Sequence, residues 1–84
     1  MKWSGVARYF FSLHDRSGDL PDEEGCDLSG TTAMQAYAVT VARSLMADDI
    51  RNGHLNLSDY LEVSNDSGEI VHMLPFASAV TIDP

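Results

Sequence analysis

The sequence predicts an α+β fold, a two-layer sandwich in which one long helix covers one face of a three- to four-stranded antiparallel sheet. The predicted order of elements is β-(β)-α-β-β. Three observations lead to this fold: an alternating β-forming segment near the start, a long segment with helical periodicity, and a final segment that reads as a hairpin. Strands this short and few cannot bury their apolar face against each other, so the helix is the cover they need. The 84 residues suffice for a single domain, 1–84, with an ordered core of about 6–82.

The first strand is predicted in "VARYFFSL", where side chains alternate between two faces. Tyr9, Phe11 and Leu13 share one face, and Arg8, Phe10, Ser12 and His14 share the other. Phe10 on the second, more polar face indicates that this face is also partly covered. Asp, Gly, Ser and Pro then accumulate in "HDRSGDLPDEEG", which predicts a turn. A very short second strand can follow at Cys26 to Leu28.

The long helix is predicted in "TTAMQAYAVTVARSLMADDIRNG". Thr31, or Ser29 just before it, can cap the start, and Gly53 stands where a glycine with positive φ ends a helix. The apolar stripe contains Met34, Ala38, Val41 and Leu45, widened by Val39, Ala42, Met46 and Ile50. The opposite face, with Thr40, Arg43, Ala47 and Arg51, should lie towards water.

The hairpin is predicted in "GHLNLSDYLEVSNDSGEIVHMLPFASAVTI". Leu61 and Val63 alternate with Tyr60, Glu62 and Ser64, and "NDSG" is a turn signal in which Gly68 can take positive φ. The return strand should run from Glu69 to about Leu74, with Pro75 at a strand end or edge. Phe76 and Val80 are expected to plug one end of the core.

Composition excludes several classes of function. Thirteen acids against five Lys and Arg give a net charge of −8, and the five cations are scattered along the chain, so nucleic-acid binding is not expected. No apolar run approaches the roughly 18 residues that a membrane helix needs, and no signal peptide is recognised. The single Cys26 cannot form an internal disulfide. These features predict a cytoplasmic protein with no membrane contact.

The first turn holds the only candidate metal ligands. His14 and Asp15 end the first strand, and Asp22, Glu23 and Glu24 follow in the next loop; such carboxylates and an imidazole suit a divalent cation. The spacing matches no recognised metal motif. A solvated turn in which Asp15 or Asp22 accepts backbone N–H groups explains the same residues. A metal-dependent site therefore stays an alternative, and no cofactor is predicted.

Protein contact is the function that the pattern favours. No Ser–His–Asp spacing, glycine-rich phosphate loop or nucleotide motif is present, so the chain is not expected to be an enzyme. The sheet face away from the helix should expose an apolar patch, and such patches usually mark protein contacts. The predicted contact residues are Arg8, Phe10, Tyr60, Glu62 and His72. The partner is either a second copy of the chain or another protein, in an accessory or regulatory role.

Several segments together resemble the DUF6894 family of small bacterial proteins. These are "RYFFSLHD", "DEEG", the alanine-rich helix and "LEVSNDSGEIVHMLPF". The resemblance covers nearly the whole chain, from Arg8 to Val80. Ser12 departs from the acid or amide usual at its place in the family. The resemblance implies a fold and a bacterial origin but no activity. The strand–strand–helix opening is also similar to that of HicB-like antitoxins, which leaves an acidic antitoxin-like partner of a basic protein as another alternative.

Overall fold

The computed structural model describes residues 6–16 and 18–83. Its elements are, in chain order, β1 (Ala7–Asp15), β2 (Gly18–Leu20), β3 (Cys26–Leu28), α1 (Thr31–Arg51), β4 (Tyr60–Asn65), β5 (Ile70–Pro75) and a 3₁₀ turn (Phe76–Ser78). One helix packs on an antiparallel sheet, so the predicted α+β class is confirmed.

The sheet has five strands in this part of the chain, rather than the three or four predicted. Its order is β2-β1-β4-β5, and β3 also pairs with β1. The nine-residue β1 is long enough to carry β3 beside its first three residues and β2 beside its last three, along the same edge. The strand predicted at Cys26 to Leu28 is confirmed, whereas β2 lies in the segment predicted as a turn. Its Gly-Asp-Leu sequence has no local β-forming signal, so only pairing with β1 reveals it.

The pairing register of β1 with β4 shows which side chains lie on each face of the sheet. Phe11 lies opposite Val63 and Leu13 opposite Leu61, on the face that packs against α1. Ser12 opposes Glu62 on the other side, which we call the outer face. The predicted alternation of β1 is confirmed, because Tyr9 and Phe11 are buried while their neighbours are not.

The core lies between α1 and the inner face of the sheet. Four helix residues spaced four apart are buried: Met34, Ala38, Ala42 and Met46. The two alanines have small side chains, which allow the sheet to approach the middle of the helix closely. The buried stripe of α1 is narrower than predicted, because Val41 and Leu45 are only half-buried and Ile50 is exposed.

The capping residue predicted for the start of α1 is wrong, whereas the glycine predicted at its end is confirmed. Neither Ser29 nor Thr31 caps the start, so that prediction is wrong; the N-cap residue is Gly30, whose carbonyl accepts a hydrogen bond from Met34 N–H at 2.9 Å. At the other end Gly53 has a φ of 79° and donates its N–H to Ile50 O, as predicted.

The residues after β5 close one end of the core. Phe76 is fully buried, and its N–H donates to the carbonyl of Asp59 at 2.8 Å. Val80 packs against the core while remaining half-buried, so both plug residues lie where they were predicted. This closure draws the segment before β4 towards the end of β5, and that position matters for the site.

Candidate functional site

The predicted contact residues do not all lie on the same face. Arg8, Phe10, Tyr60 and Glu62 lie on the outer face, but His72 pairs with Val63 and lies on the inner face, half-buried. The cause is a β-bulge. Ser64 pairs with Ile70 next to the turn, and a regular ladder from there would place His72 opposite Glu62. The bulge shifts the register by one residue, which moves His72 to the other face.

The Arg8 side chain holds the loop between β2 and β3 in place. Arg8 donates to Glu24 O at 2.6 Å and pairs with the Asp27 carboxylate at 3.1 Å. Gly25 lies directly over β1: a Cβ added there would be 2.8 Å from Cε2 of Phe10. The loop therefore covers part of the outer face, as Phe10 on that face indicated, and Arg8 is engaged in this cover.

Asp22 organises the same loop through its carboxylate. One oxygen accepts the N–H of Phe11 at 3.0 Å, and the other accepts the N–H groups of Glu24 and Gly25, each at 3.2 Å. Burial raises the pKa of Asp22, but these hydrogen bonds lower it more, so that the net pKa lies below the ordinary value. Asp22 thus has the backbone-capping role that was the alternative to metal binding.

The metal hypothesis finds no geometric support in residues 6–16 and 18–83. No group of three His, Cys, Asp or Glu side chains in these ranges could hold an ion. Both Asp22 oxygens already accept backbone hydrogen bonds, while Glu23 and Glu24 are exposed.

His14 forms a clamp across three strands. Its Nδ1 is 2.6 Å from Asp19 Oδ1 on β2, and its Nε2 is 2.9 Å from Glu62 Oε1 on β4. The imidazole also stacks on Tyr60, with ring centroids 5.0 Å apart and an interplanar angle of 9°. Ionised carboxylates only accept hydrogen bonds, so this arrangement favours a proton on both ring nitrogens. We call these four residues the His14 clamp.

The charge state of His14 follows from its surroundings. Burial lowers the pKa of His14, but hydrogen bonds and charge interactions with Asp19 and Glu62 raise it more, and the net pKa lies above 6.5. With both ring nitrogens within hydrogen-bond distance of carboxylates on neighbouring strands, His14 has the geometry of a structural cross-link between β1, β2 and β4.

A cleft of about 670 Å³ opens beside the His14 clamp. It lies between the end of β1, β2 and the segment that leads into β4. A recess of about 170 Å³ adjoins it and shares four of its lining residues, Asp15, Arg16, His54 and Asp59. Asp59 is only 5% exposed. Burial is the main cause of its raised pKa, followed by the charges of Asp15 and Asp49.

Asp59 and the cleft were not predicted. A signal for Asp59 was nevertheless present, since residues 59, 61 and 63 share one phase of the β4 alternation and Leu61 and Val63 are core residues. An aspartate next to a serine is equally typical of an exposed turn, so this pattern alone does not identify a buried carboxylate.

The β5 strand forms the other notable surface. It is an edge strand of the described sheet, and Ile70, Val71 and Met73 expose apolar side chains on it. Within Ile70–Pro75 no Asp, Glu, Lys or Arg occurs, although charged residues are common elsewhere in the chain. Natural edge strands are usually protected by charge, so an uncharged apolar edge is a candidate for strand pairing.

No helix of the described residues is long and apolar enough to cross a membrane.

Comparisons with known proteins identify one family. Searches of curated proteins and of solved structures found no match. The model of one family, described as Domain of unknown function (DUF6894), matches residues 8–77, which include β1 from Arg8 onwards, the Asp22 loop, α1 and the β4–β5 hairpin. The chain therefore belongs to the DUF6894 family.

Proposed function

We propose that this domain is a protein–protein interaction module that works as a homodimer, in which β5 strands of two copies pair edge to edge. The observation that carries the proposal is the uncharged apolar edge at Ile70–Pro75. Within the described chain, β5 pairs with β4 along one edge of its backbone and with no strand along the other edge. Such an edge is a template for a further strand.

The net charge supports a second copy at this place. Two chains of charge −8 repel each other, so they can associate only where the contact itself carries little charge. The β5 edge meets this condition, because its one titratable side chain is that of His72. By contrast, the opposite edge of the sheet carries Asp19 on β2 and Asp27 on β3.

The pairing has a defined geometry. A two-fold axis perpendicular to the sheet at His72 would align the two β5 strands antiparallel and bring Val71 of one copy beside Met73 of the second copy. Side chains then keep their faces, so that the two five-stranded sheets join and both helices cover the same side. The exposed Val71 and Met73 would thereby bury part of their apolar surface.

The same features support an accessory role rather than an enzymatic one. His14 lines the cleft, but both of its ring nitrogens lie within hydrogen-bond distance of carboxylates, which leaves neither nitrogen placed to act on a substrate. The acidic surface argues against nucleic acid as the partner. We place the module in the cytoplasm, in keeping with a single cysteine that has no partner for an internal disulfide.

Analytical ultracentrifugation of the wild-type chain at several concentrations tests the proposal. Dimerisation should strengthen as NaCl rises from about 0.02 M to about 0.5 M, because salt screens the repulsion between two acidic copies. Val71→Lys should abolish the dimer, since it places cations near the two-fold axis. Leu20→Lys is the matched control: Leu20 is 65% exposed on β2, at the opposite edge, and its substitution should leave the dimer intact.

Three outcomes would overturn the homodimer. These are a monomer at every concentration and salt, a dimer that survives Val71→Lys, and a dimer that Leu20→Lys abolishes. Self-association that weakens as salt rises would contradict the proposed low-charge contact, because screening should strengthen the association of two acidic copies.

A further inference from the structure

We propose that the cleft beside the His14 clamp binds a guanidinium group, with the Asp59 carboxylate as its anchor. This site is separate from the β5 edge and does not depend on the homodimer. The proposal rests on a buried carboxylate to which no described residue donates a hydrogen bond, on the composition of the recess around it, and on the size of the cleft.

Among the described residues, two backbone hydrogen bonds hold Asp59 in the recess. Its carbonyl accepts the N–H of Phe76 at 2.8 Å, and its own N–H donates to Asn56 O at 3.2 Å. Within residues 6–16 and 18–83, by contrast, no group donates a hydrogen bond to its carboxylate, which lines both the cleft and the recess. Burying an ionised carboxylate without a donor is costly, and a bound cation removes that cost.

The charges around Asp59 favour a cation. Asp15 shares the recess and Asp49 acts on Asp59 from α1, and both raise its pKa in addition to burial. His54 and Arg16 act in the opposite direction, but neither forms an ion pair with Asp59 within 4.0 Å. Arg16 is exposed at the rim of the cleft, which makes it an internal competitor for the same carboxylate rather than its fixed partner.

The recess suits an organic cation better than a metal. No three ligating side chains converge there in the described chain, as a metal centre would require. A guanidinium is planar and has five N–H donors, so it can donate two parallel hydrogen bonds to the Asp59 carboxylate. It also stacks on aromatic rings, and Tyr60 lines the cleft.

The cleft has room for more than the charged group. Its volume of about 670 Å³ lies within the range of small-ligand pockets, and its open mouth would admit either a free molecule or a side chain. The guanidinium therefore belongs either to a free arginine-like metabolite or to an arginine residue of a polypeptide. The two sources share the same chemistry at Asp59 and can be separated by titration.

The test is a pair of titrations of the ¹⁵N-labelled full chain, followed by amide ¹H–¹⁵N spectra. L-arginine is compared with L-citrulline, which replaces the guanidinium by a neutral ureido group of the same shape. Blocked Gly-Arg-Gly is compared with blocked Gly-citrulline-Gly. We expect saturable shifts confined to residues 14–16 and 54–60 with the guanidinium probes alone. Tighter binding of the peptide would identify a polypeptide as the source, and tighter binding of the amino acid a metabolite.

Two variants connect binding to the anchor. Asp59→Asn preserves shape and removes the charge, and should weaken binding about tenfold or more, as expected for a lost charged hydrogen bond. Arg16→Gln removes the competitor at an exposed position and should tighten binding. The proposal is overturned if arginine and citrulline shift the same amides equally, if neither shifts them saturably, or if Arg16→Gln weakens binding. Unchanged binding by a folded Asp59→Asn chain would overturn it as well.

Discussion

Replacing Gly25 by alanine should destabilise the fold far more than the same change at Gly68. Gly25 has a φ of +75°, and an added Cβ would lie 2.8 Å from Cε2 of Phe10 and 2.9 Å from the carbonyl oxygen of Tyr9. Gly68 has a φ of +82°, but an added Cβ there would meet no atom within 4 Å. The two glycines thus share the backbone strain, and only Gly25 adds a steric conflict.

The magnitudes follow from these two terms. A non-glycine residue in the left-handed region costs about 1 kcal/mol, which is the whole expected effect of Gly68→Ala. The Phe10 ring can move aside, but the Tyr9 carbonyl belongs to β1, which pairs there with β3. Overpacking against such a fixed group adds about 1–3 kcal/mol, so Gly25→Ala should cost about 3 kcal/mol in total. A domain of this size has a stability of roughly 5–15 kcal/mol, so the loss is large.

Urea and thermal unfolding followed by far-UV circular dichroism measure the difference. At about 4–8 °C per kcal/mol, the melting temperature should fall by roughly 12–24 °C for Gly25→Ala and by roughly 4–8 °C for Gly68→Ala. The chain should be kept dilute, so that association does not contribute to stability. Equal decreases in stability in the two variants would refute the reasoning, because they would mean that the loop over β1 moves away from the added Cβ at no cost. Unequal losses would give the "DEEG" segment a structural role.

Three further predictions concern carboxylates and the His14 clamp. The raised pKa of His14 should make the unfolding free energy decline as pH rises from 6.5 through that pKa, a decline that His14→Gln should abolish in urea titrations across this range. Asp22→Ala should cost about 2–3 kcal/mol at neutral pH, because three backbone N–H groups lose their acceptor. The lowered pKa of Asp22 means that this cost should shrink only as pH falls below 3.8 and through that pKa. Asp59→Asn should raise the melting temperature at neutral pH, since burial and the charges of Asp15 and Asp49 disfavour the ionised carboxylate and raise its pKa, and the gain should disappear near pH 4. A lower melting temperature for this variant would contradict the assignment.

Much of the fold could be predicted because its elements are defined by nearby residues. The alternation of β1 depends on side chains two positions apart, and the helix depends on side chains three or four apart. Gly53 and Gly68 both have positive φ, as their places at a helix end and a hairpin turn indicated. These features require no knowledge of which distant segments meet.

The candidate sites could be predicted only in part, because distant residues make them. Glu62 reaches His14 across 48 positions of the chain, so the clamp does not exist until β1 and β4 pair. The charge and volume around Asp59 likewise depend on the start of β2 and the end of α1 coming near it. Short-range sequence patterns do not predict such contacts between distant segments.

The sequence by itself determined the α+β class, the family, the bounds of the helix and the faces of β1 and β4, because each of these follows from short-range periodicity or from motif order. Only the tertiary structure decided that β2 exists, that His72 lies on the inner face and that Asp59 is buried beside a cleft. A three-residue strand is stabilised solely by its partner, and one bulged residue reverses the faces of the strand after it. Burial of a charged side chain, finally, depends on what the rest of the chain packs around it.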